Sequence, residues 1–217
     1  MTPKLVIGNK NFSSWSLRAW LLLREAGIEF EEHCIALDMP ETAAEIATFN
    51  PGGTVPVLQL GELNVWDTLA IAETIAERWP DKKLWPEDAD VRAFARSICA
   101  EMHSSFSMLR ECMPMNCRAM GRKVPLPDAL TDDVDRVLYI WSECHGRFSG
   151  DGGWLFGHFT VADAMYAPVV LRLRTYGVNL PESAAYYPKR LLESAAMQEW
   201  LAAAECETEV IAADEKG

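Results

Sequence analysis

The strongest constraint on the fold is a change of hydrophobic pattern near residue 80 of this 217-residue chain. Before that point, short apolar runs alternate with amphipathic stretches. The predicted order is βαβαββα, with strands at 4–7, 29–37, 55–60 and 63–66 and helices at 16–26, 41–48 and 68–79. A βαβ unit followed by an antiparallel hairpin is the thioredoxin-like arrangement. Beyond residue 88 the apolar residues recur only with helical spacing, so an all-helical C-terminal domain is expected to follow.

The boundary between the two predicted domains is a linker rich in proline and charge, residues 81–88. It separates an N-terminal domain of residues 1–80 from a C-terminal domain of residues 89–217. Helices are expected in the second domain at about 89–121, 129–149, 160–176, 184–194 and 197–206. Thr160 and Asp163 form a capping box before an apolar run, and both are predicted to be structural.

Composition excludes several classes of partner. The formal charge of −12 argues against nucleic acid, because phosphate neutralisation needs clusters of Lys and Arg. No stretch approaches the length of a membrane span, and the N-terminus lacks the apolar core of a signal peptide. The six cysteines show no CxxC spacing, which is typical of reduced thiols in a cytoplasmic protein. The four histidines lie far apart, so no metal site is predicted.

Residues 51–68 carry the most functional information in the chain. They are predicted to form two short strands around Gly61-Glu62, where glycine in the first position favours a type II′ turn. Pro56 lies inside the first strand and donates no ladder hydrogen bond, so an edge, a bulge or a cis peptide is expected there. A cis bond would leave the N–H and C=O of Val55 open to a ligand.

The helix after this hairpin begins at Asp67-Thr68, and its first free N–H groups favour an anion. An exposed backbone edge beside such a helix start suits a peptide that carries an α-carboxylate. The other interpretation of the same residues is a plain hairpin followed by an aspartate cap.

Two segments resemble the glutathione site of the soluble glutathione S-transferase superfamily: Thr-Val-Pro-Val-Leu, residues 54–58, and Asp-Thr-Leu-Ala-Ile, residues 67–71. The resemblance implies that the backbone before the cis-proline pairs with the cysteinyl part of glutathione. It also implies that the acidic-hydroxyl pair holds the γ-glutamyl end, with threonine in place of the usual serine. The glutathione-binding residues implied in this way are Thr54, Val55, Pro56, Asp67 and Thr68.

The loop before the first helix, residues 9–18, contains three serines. A hydroxyl held near the helix N–H groups could donate to a thiolate and lower the pKa of the thiol. The run Ser-Ser-Trp-Ser-x-Arg resembles the Ser-Ser-Cys-Ser-x-Arg signature of the zeta, or maleylacetoacetate isomerase, class, which assigns thiol activation to Ser13. Counting back from the helix arginine, as in theta- and delta-like classes, selects Ser14 instead. Ser16 is expected to cap the helix.

Trp15 stands where the zeta signature has a cysteine, so a thiol-disulfide reductase is not expected. In the zeta class an arginine after the Thr-x-x-Asp helix helps to hold a diacid substrate. Ungapped alignment puts Thr175 at that position, with Arg172 and Arg174 in the same turn.

The stretch 102–120 is rich in methionine and cysteine, a pattern more often found in a core than in a ligand pocket. In the superfamily, however, the first long helices of the second domain wall the electrophile site. The resemblance therefore places Met108, Arg110 and Met113 near that site.

Together these features predict a glutathione transferase that conjugates glutathione to a small hydrophobic electrophile and forms a homodimer. One alternative is a glutathione-dependent cis-trans isomerase of maleylacetoacetate type. Another is a non-catalytic binding module on the same fold. The three loop serines favour an enzyme, because a module without chemistry has no need of a hydroxyl there.

Overall fold

The computed structural model describes residues 2–148, 150 and 152–217. Its first part contains β1 (Lys4–Gly8), α1 (Ser14–Glu25), β2 (Glu31–Ile35), α2 (Thr42–Phe49), β3 (Val57–Leu60), β4 (Leu63–Trp66) and α3 (Thr68–Arg78). A 3-10 turn at Pro80–Lys82 follows. The second part contains α4 (Ala89–Ser104), α5 (Ser107–Cys112), α6 (Asp128–Phe148), α7 (Val161–Thr175), α8 (Glu182–Leu192), α9 (Ala195–Glu205) and a 3-10 turn at Ala212–Asp214. The predicted fold class is confirmed, and the precise domain boundaries stay a prediction.

The four strands form one sheet in the order β2-β1-β3-β4, with β4 at an edge. Strand β1 pairs in parallel with β2 and antiparallel with β3, where Val6 lies opposite Val57. Because β3 runs antiparallel to β1, the segment that enters β3 lies beside the loop that leaves β1. This topology brings Val55 next to residues 9–18, which contain Ser13, Ser14 and Ser16 and which we call the serine loop.

One apolar core joins the two domains. Helix α1 buries a run of large side chains that includes Trp20, and every residue of α7 except Arg174 is buried. Helices that are buried on nearly all sides lie between layers rather than on the surface. A polar side chain on α7 is therefore held by packing in a fixed position.

The structure corrects the expected start of α1. The helix begins at Ser14, and Ser13 is its N-cap residue without a side-chain capping bond. Ser16 lies inside the first turn, where its Oγ accepts a hydrogen bond of 2.9 Å from the N–H of Gly8. The expectation that Ser16 caps the helix is wrong, because its hydroxyl instead ties the helix to the end of β1.

The structure also divides the long helix expected at 89–121. Helix α4 ends at Ser104, α5 begins at Ser107, and residues 113–127 have no regular structure. The break lies at Ser105, which is extended, and Phe106, which has a left-handed φ of 62°. Neither position carries a glycine or a proline, so the break has no signal in the sequence.

Candidate active site

The loop between β1 and α1 opens into a cavity of about 350 Å³ between the two domains. The N-terminal domain contributes Ser13, Ser14, Thr54 and Val55 to its walls. The C-terminal domain contributes two arginines and an aspartate, at positions 110, 172 and 214. The fold therefore gathers both candidate catalytic serines and two of the predicted glutathione-binding residues in one place.

The segment that enters β3 has the predicted backbone conformation. The Val55–Pro56 peptide is cis, and Pro56 is buried beneath the cavity wall. Within the described residues, no hydrogen bond is made to the N–H or C=O of Val55. Both groups are therefore available to a ligand with an extended backbone.

The start of α3 holds the predicted acidic-hydroxyl pair outside this cavity. Asp67 caps the helix by accepting a hydrogen bond of 2.9 Å from the N–H of Leu69, and its φ of 71° is rare for a residue other than glycine. The Thr68 hydroxyl is buried and has no partner in the part of the chain that the structure describes. A buried hydroxyl without a partner is costly, and residues in strained conformations concentrate at functional sites.

A histidine from α4 joins this helix start to the serine loop. The Nε2 of His103 lies 3.1 Å from the Oδ2 of Asp67, and its ring centroid lies 5.3 Å from that of Trp15. Its Nδ1 is buried without a partner among the described residues. Asp67 and the cavity are thus linked through two aromatic side chains.

The two candidate catalytic serines differ in their hydrogen bonds. The Ser13 hydroxyl donates to the Oγ of Ser16 over 2.7 Å. The Ser14 hydroxyl accepts from the Nη2 of Arg172 over 3.1 Å. Both serines are buried beside the cavity, so exposure does not distinguish them, but their hydrogen bonds do.

Three arginines surround this corner of the cavity. The guanidinium carbons of Arg18 and Arg110 lie 4.2 and 4.8 Å from the centre of the Trp15 ring. Burial, reinforced by the neighbouring arginines, lowers the pKa of Arg18 and lowers that of Arg172 to about 10, so Arg172 is still charged at neutral pH. Asp214 also lines the cavity. Burial raises its pKa, although the positive charge of Arg172 acts in the opposite direction.

Two family models match the chain. The model of the glutathione S-transferase N-terminal domain matches residues 12–78, and that of the C-terminal domain matches residues 92–203. The chain belongs to the glutathione S-transferase family. The predicted enzyme class, with glutathione as co-substrate, is thereby confirmed.

Relatives of this glutathione S-transferase include the zeta class. Maleylacetoacetate isomerase of Rattus norvegicus is 27% identical over 185 residues, which cover 82% of this chain and 81% of the relative. The fold resembles a maleyl pyruvate isomerase described as a bacterial zeta-class glutathione-S-transferase, with a TM-score of 0.73 and 21% identity over 95% of this chain and 100% of the other. It also resembles a glutathione transferase homologue from Burkholderia with bound glutathione, with a TM-score of 0.71 and 22% identity over 94% and 99% of the two chains.

In this glutathione S-transferase, residues 207–217 hold the serine loop, and we call them the C-terminal strap. The two carboxylate oxygens of Glu207 accept hydrogen bonds of 2.6 and 2.8 Å from the N–H groups of Lys10 and Asn11. Arg118 donates to the carbonyls of Glu207 and Glu209. The strap then brings Asp214 to the cavity.

The segment after α5 holds the same loop from the other side. The N–H of Cys117 donates to the carbonyl of Asn11 over 3.1 Å. The Nδ2 of Asn11 donates to the Oδ1 of Asn116, also over 3.1 Å. The N–H of Arg118 donates to the Oδ1 of Asn11 over 2.9 Å. The C-terminal domain thus fixes the conformation of a loop that belongs to the N-terminal domain.

The structure brings together only some of the residues that were predicted to lie near the electrophile site. Arg110 lines the cavity that also contains Ser13 and Ser14, whereas Met113 borders a separate cavity of about 340 Å³ and Met108 packs against the core. Arg172 lies in the cavity, but Arg174 lines a third cavity beside Trp141. Thr175 is buried and donates to the carbonyl of Asn116.

Sequence reasoning missed Asp214 and Glu207, and it assigned no role to His103. None of these residues lies in a recognisable motif, and each reaches the site through contacts distant in sequence. In the described residues, no group of three or more His, Cys, Asp or Glu side chains could hold a metal ion. No helix there is long and apolar enough to cross a membrane.

Proposed function

We propose that this enzyme conjugates glutathione to a small hydrophobic electrophile and that a loop serine, Ser13 or Ser14, stabilises the thiolate. The observation that supports this proposal most directly is one cavity lined by both serine hydroxyls and by the unpaired backbone of Val55. A tripeptide that pairs with this backbone would place its cysteinyl sulfur beside the serines.

In this arrangement Thr54, Val55 and Pro56 form the wall on which the cysteinyl residue lies. The γ-glutamyl end reaches the start of α3, since an extended tripeptide spans about 10 Å. There the Thr68 hydroxyl and the first N–H groups of the helix bind the carboxylate, and Asp67 binds the ammonium group. This would give the buried Thr68 hydroxyl a partner.

The reaction needs a thiolate at neutral pH. A donated serine hydrogen bond and the positive end of α1 favour the charged form of the thiol and so lower its pKa. The sulfur electron pair then attacks the electrophilic carbon and forms a C–S bond. The displaced electron pair leaves with a leaving group or moves to a neighbouring atom that takes up a proton.

The second candidate is a glutathione-dependent isomerase of maleylacetoacetate type. The observation that favours it is the pair of arginines in the cavity, Arg110 and Arg172, which could hold the carboxylates of a diacid. The similarity to the rat maleylacetoacetate isomerase points in the same direction.

We also propose a homodimer in the cytoplasm. Strand β4 is one of the two edges of the sheet, and its Leu63 and Trp66 side chains are about half exposed. A large aromatic side chain on an exposed edge strand is typical of a surface covered by a partner. Free cysteines, such as the exposed Cys34 and Cys206, fit a reducing compartment.

Calorimetry with glutathione, followed by turnover with aromatic halides and with cis-dienoic diacids, tests the proposal. Saturable glutathione binding and turnover of the halides support conjugation. Turnover of the diacids alone would favour the isomerase. Absence of glutathione binding by the folded protein would contradict both.

A further inference from the structure

We propose that Ser14, rather than Ser13, donates the hydrogen bond that activates the glutathione thiol, and that Arg172 is the positioning residue that prepares Ser14 for this task. The inference rests on the proposed function of the cavity. It assigns one serine where the sequence left two, and it gives a role to an arginine from the other domain.

Each serine hydroxyl has a single proton to donate, and the two serines use it differently. The Ser13 hydroxyl already donates to Ser16 over 2.7 Å, and the Oγ of Ser16 also accepts the N–H of Gly8. Both contacts are buried and tie the loop to β1. Donation from Ser13 to a thiolate would break its hydrogen bond to Ser16. The Ser13 proton is therefore used to hold the loop in place.

The Ser14 hydroxyl is arranged the other way. A guanidinium has five N–H donors and no acceptor, so Ser14 can only accept in its bond to Arg172. Within the described residues, Ser14 Oγ has no other hydrogen-bond partner, and it lines the cavity. Its proton is therefore free to point at a bound sulfur.

Arg172 is itself held rigidly. Its Nη1 donates to the carbonyl of Met113 over 2.6 Å and to that of Arg110 over 3.2 Å, and the side chain is 6% exposed. These neutral acceptors hold the guanidinium in place without cancelling its charge. A charged donor strengthens the hydrogen bond that the accepting hydroxyl makes in turn. The thiolate would also feel a full positive charge one hydroxyl away.

Charged groups on the neighbouring elements determine in which direction a substitution shifts the pKa of the bound thiol. Arg18 on α1 and Arg110 on α5 add positive charge around Arg172, whereas Asp214 on the strap adds negative charge in the same cavity. Tyr176, directly after α7, also interacts with Arg172 and is neutral at physiological pH, and burial raises its pKa further above its ordinary value. Loss of Arg172 should therefore disfavour the thiolate, and loss of Asp214 should favour it.

The experiment is a titration of bound glutathione, followed by the ultraviolet absorbance of the thiolate as the pH is raised. In the wild type we expect the thiol to titrate below free glutathione. Ser14→Ala and Arg172→Gln should each raise the pKa of the bound thiol by about 1, a tenfold loss of thiolate at a fixed pH. Ser13→Ala should leave the titration near the wild-type position.

Two further variants keep the test decisive because Arg172 is buried. Asp214→Asn removes a half-buried carboxylate and should lower the pKa of the bound thiol, the opposite direction to Arg172→Gln. Arg174→Gln is the matched control, since Arg174 lies on the same helix but borders a different cavity. It should not move the titration. In the double variant Ser14→Ala/Arg172→Gln, the shift should be smaller than the sum, because Arg172 acts partly through Ser14.

Different outcomes of these measurements contradict different parts of the proposal. A folded wild type that does not bind glutathione would overturn both the proposed function and this inference. If the wild-type thiol titrates low and folded Arg172→Gln leaves it unchanged, only the role of Arg172 is overturned. A large shift in Ser13→Ala with none in Ser14→Ala would overturn the choice of serine.

Discussion

Several polar atoms around the site have no partner in the described part of the protein. They are Thr68 Oγ1, His103 Nδ1 and Arg18 Nη1. Buried polar groups usually find partners within a fold, and each exception needs a cause. The position of Thr68 at the start of α3 gives it one: a ligand carboxylate would accept its proton.

Thr68→Val tests this cause, because valine keeps the shape and removes the hydroxyl. We expect glutathione to bind more weakly by about 1–3 kcal/mol, the effect of a lost charge-assisted hydrogen bond. The free energy of unfolding without ligand should stay the same or rise, since an unpaired buried hydroxyl is removed. Calorimetry and urea denaturation measure the two effects.

Thr74→Val is the control on the same helix, where the hydroxyl donates to the carbonyl of Ala70 on the exposed side. It should leave glutathione affinity unchanged. Equal affinity of the Thr68→Val and wild-type proteins would remove Thr68 from the binding site.

Carboxylate side chains fix the ends of several helices and loops in this fold. Asp163 is fully buried at the start of α7 and accepts hydrogen bonds from the N–H groups of Leu155 and Thr160, at 2.9 and 2.8 Å. Asp88 caps α4 in an exposed position and accepts from Asp90 and Val91. The two caps have similar chemistry and different burial.

We therefore expect Asp163→Ala to lower the free energy of unfolding by about 3 kcal/mol, since it leaves two N–H groups without a partner away from water. Asp88→Ala should cost about 1 kcal/mol, because water can replace the exposed cap. Urea denaturation of both variants gives the comparison. Equal losses would mean that burial does not set the strength of the Asp163 cap.

A carboxylate of the strap, Glu207, fixes the serine loop in a similar way. Glu207→Gln should weaken the bidentate contact with Lys10 and Asn11, because an amide offers one acceptor oxygen and presents an NH₂ group to the other N–H. We expect a loss of about 1–3 kcal/mol in the free energy of unfolding and a fall in turnover as the loop loosens. Glu205→Gln, on an exposed position of α9, should change neither quantity. A Glu207→Gln enzyme with wild-type stability and turnover would contradict this role.

The proposed dimer depends on the exposed edge strand β4. Trp66→Arg puts a charge on β4, where charged residues commonly block edge-to-edge contact. Sedimentation should show the variant shifted toward a 24.3 kDa monomer relative to the wild type. Met39→Arg, at an equally exposed apolar residue outside the sheet, is expected to leave the assembly unchanged. A monomeric wild type would refute the dimer itself.

Local motifs explain why part of the architecture could be predicted from the sequence. The order of strands and helices, the cis-proline and the Thr160–Asp163 box depend on residues close together in the chain. The hydrogen bonds of Ser13 and Ser14 could not be predicted in the same way. Arg172, which distinguishes them, is 158 residues from Ser14 and reaches it only through the packing of α7 against α1.

The grip of the second domain on the serine loop limits how this enzyme could be recombined with its relatives. Asn11 is bound by the segment 116–118 and by Glu207, so the loop and its anchors form one unit spread over three regions of the chain. Exchange of the N-terminal domain alone would separate that unit at every one of these contacts. Chimeras that are to keep an ordered serine loop would need to inherit all three regions from the same parent.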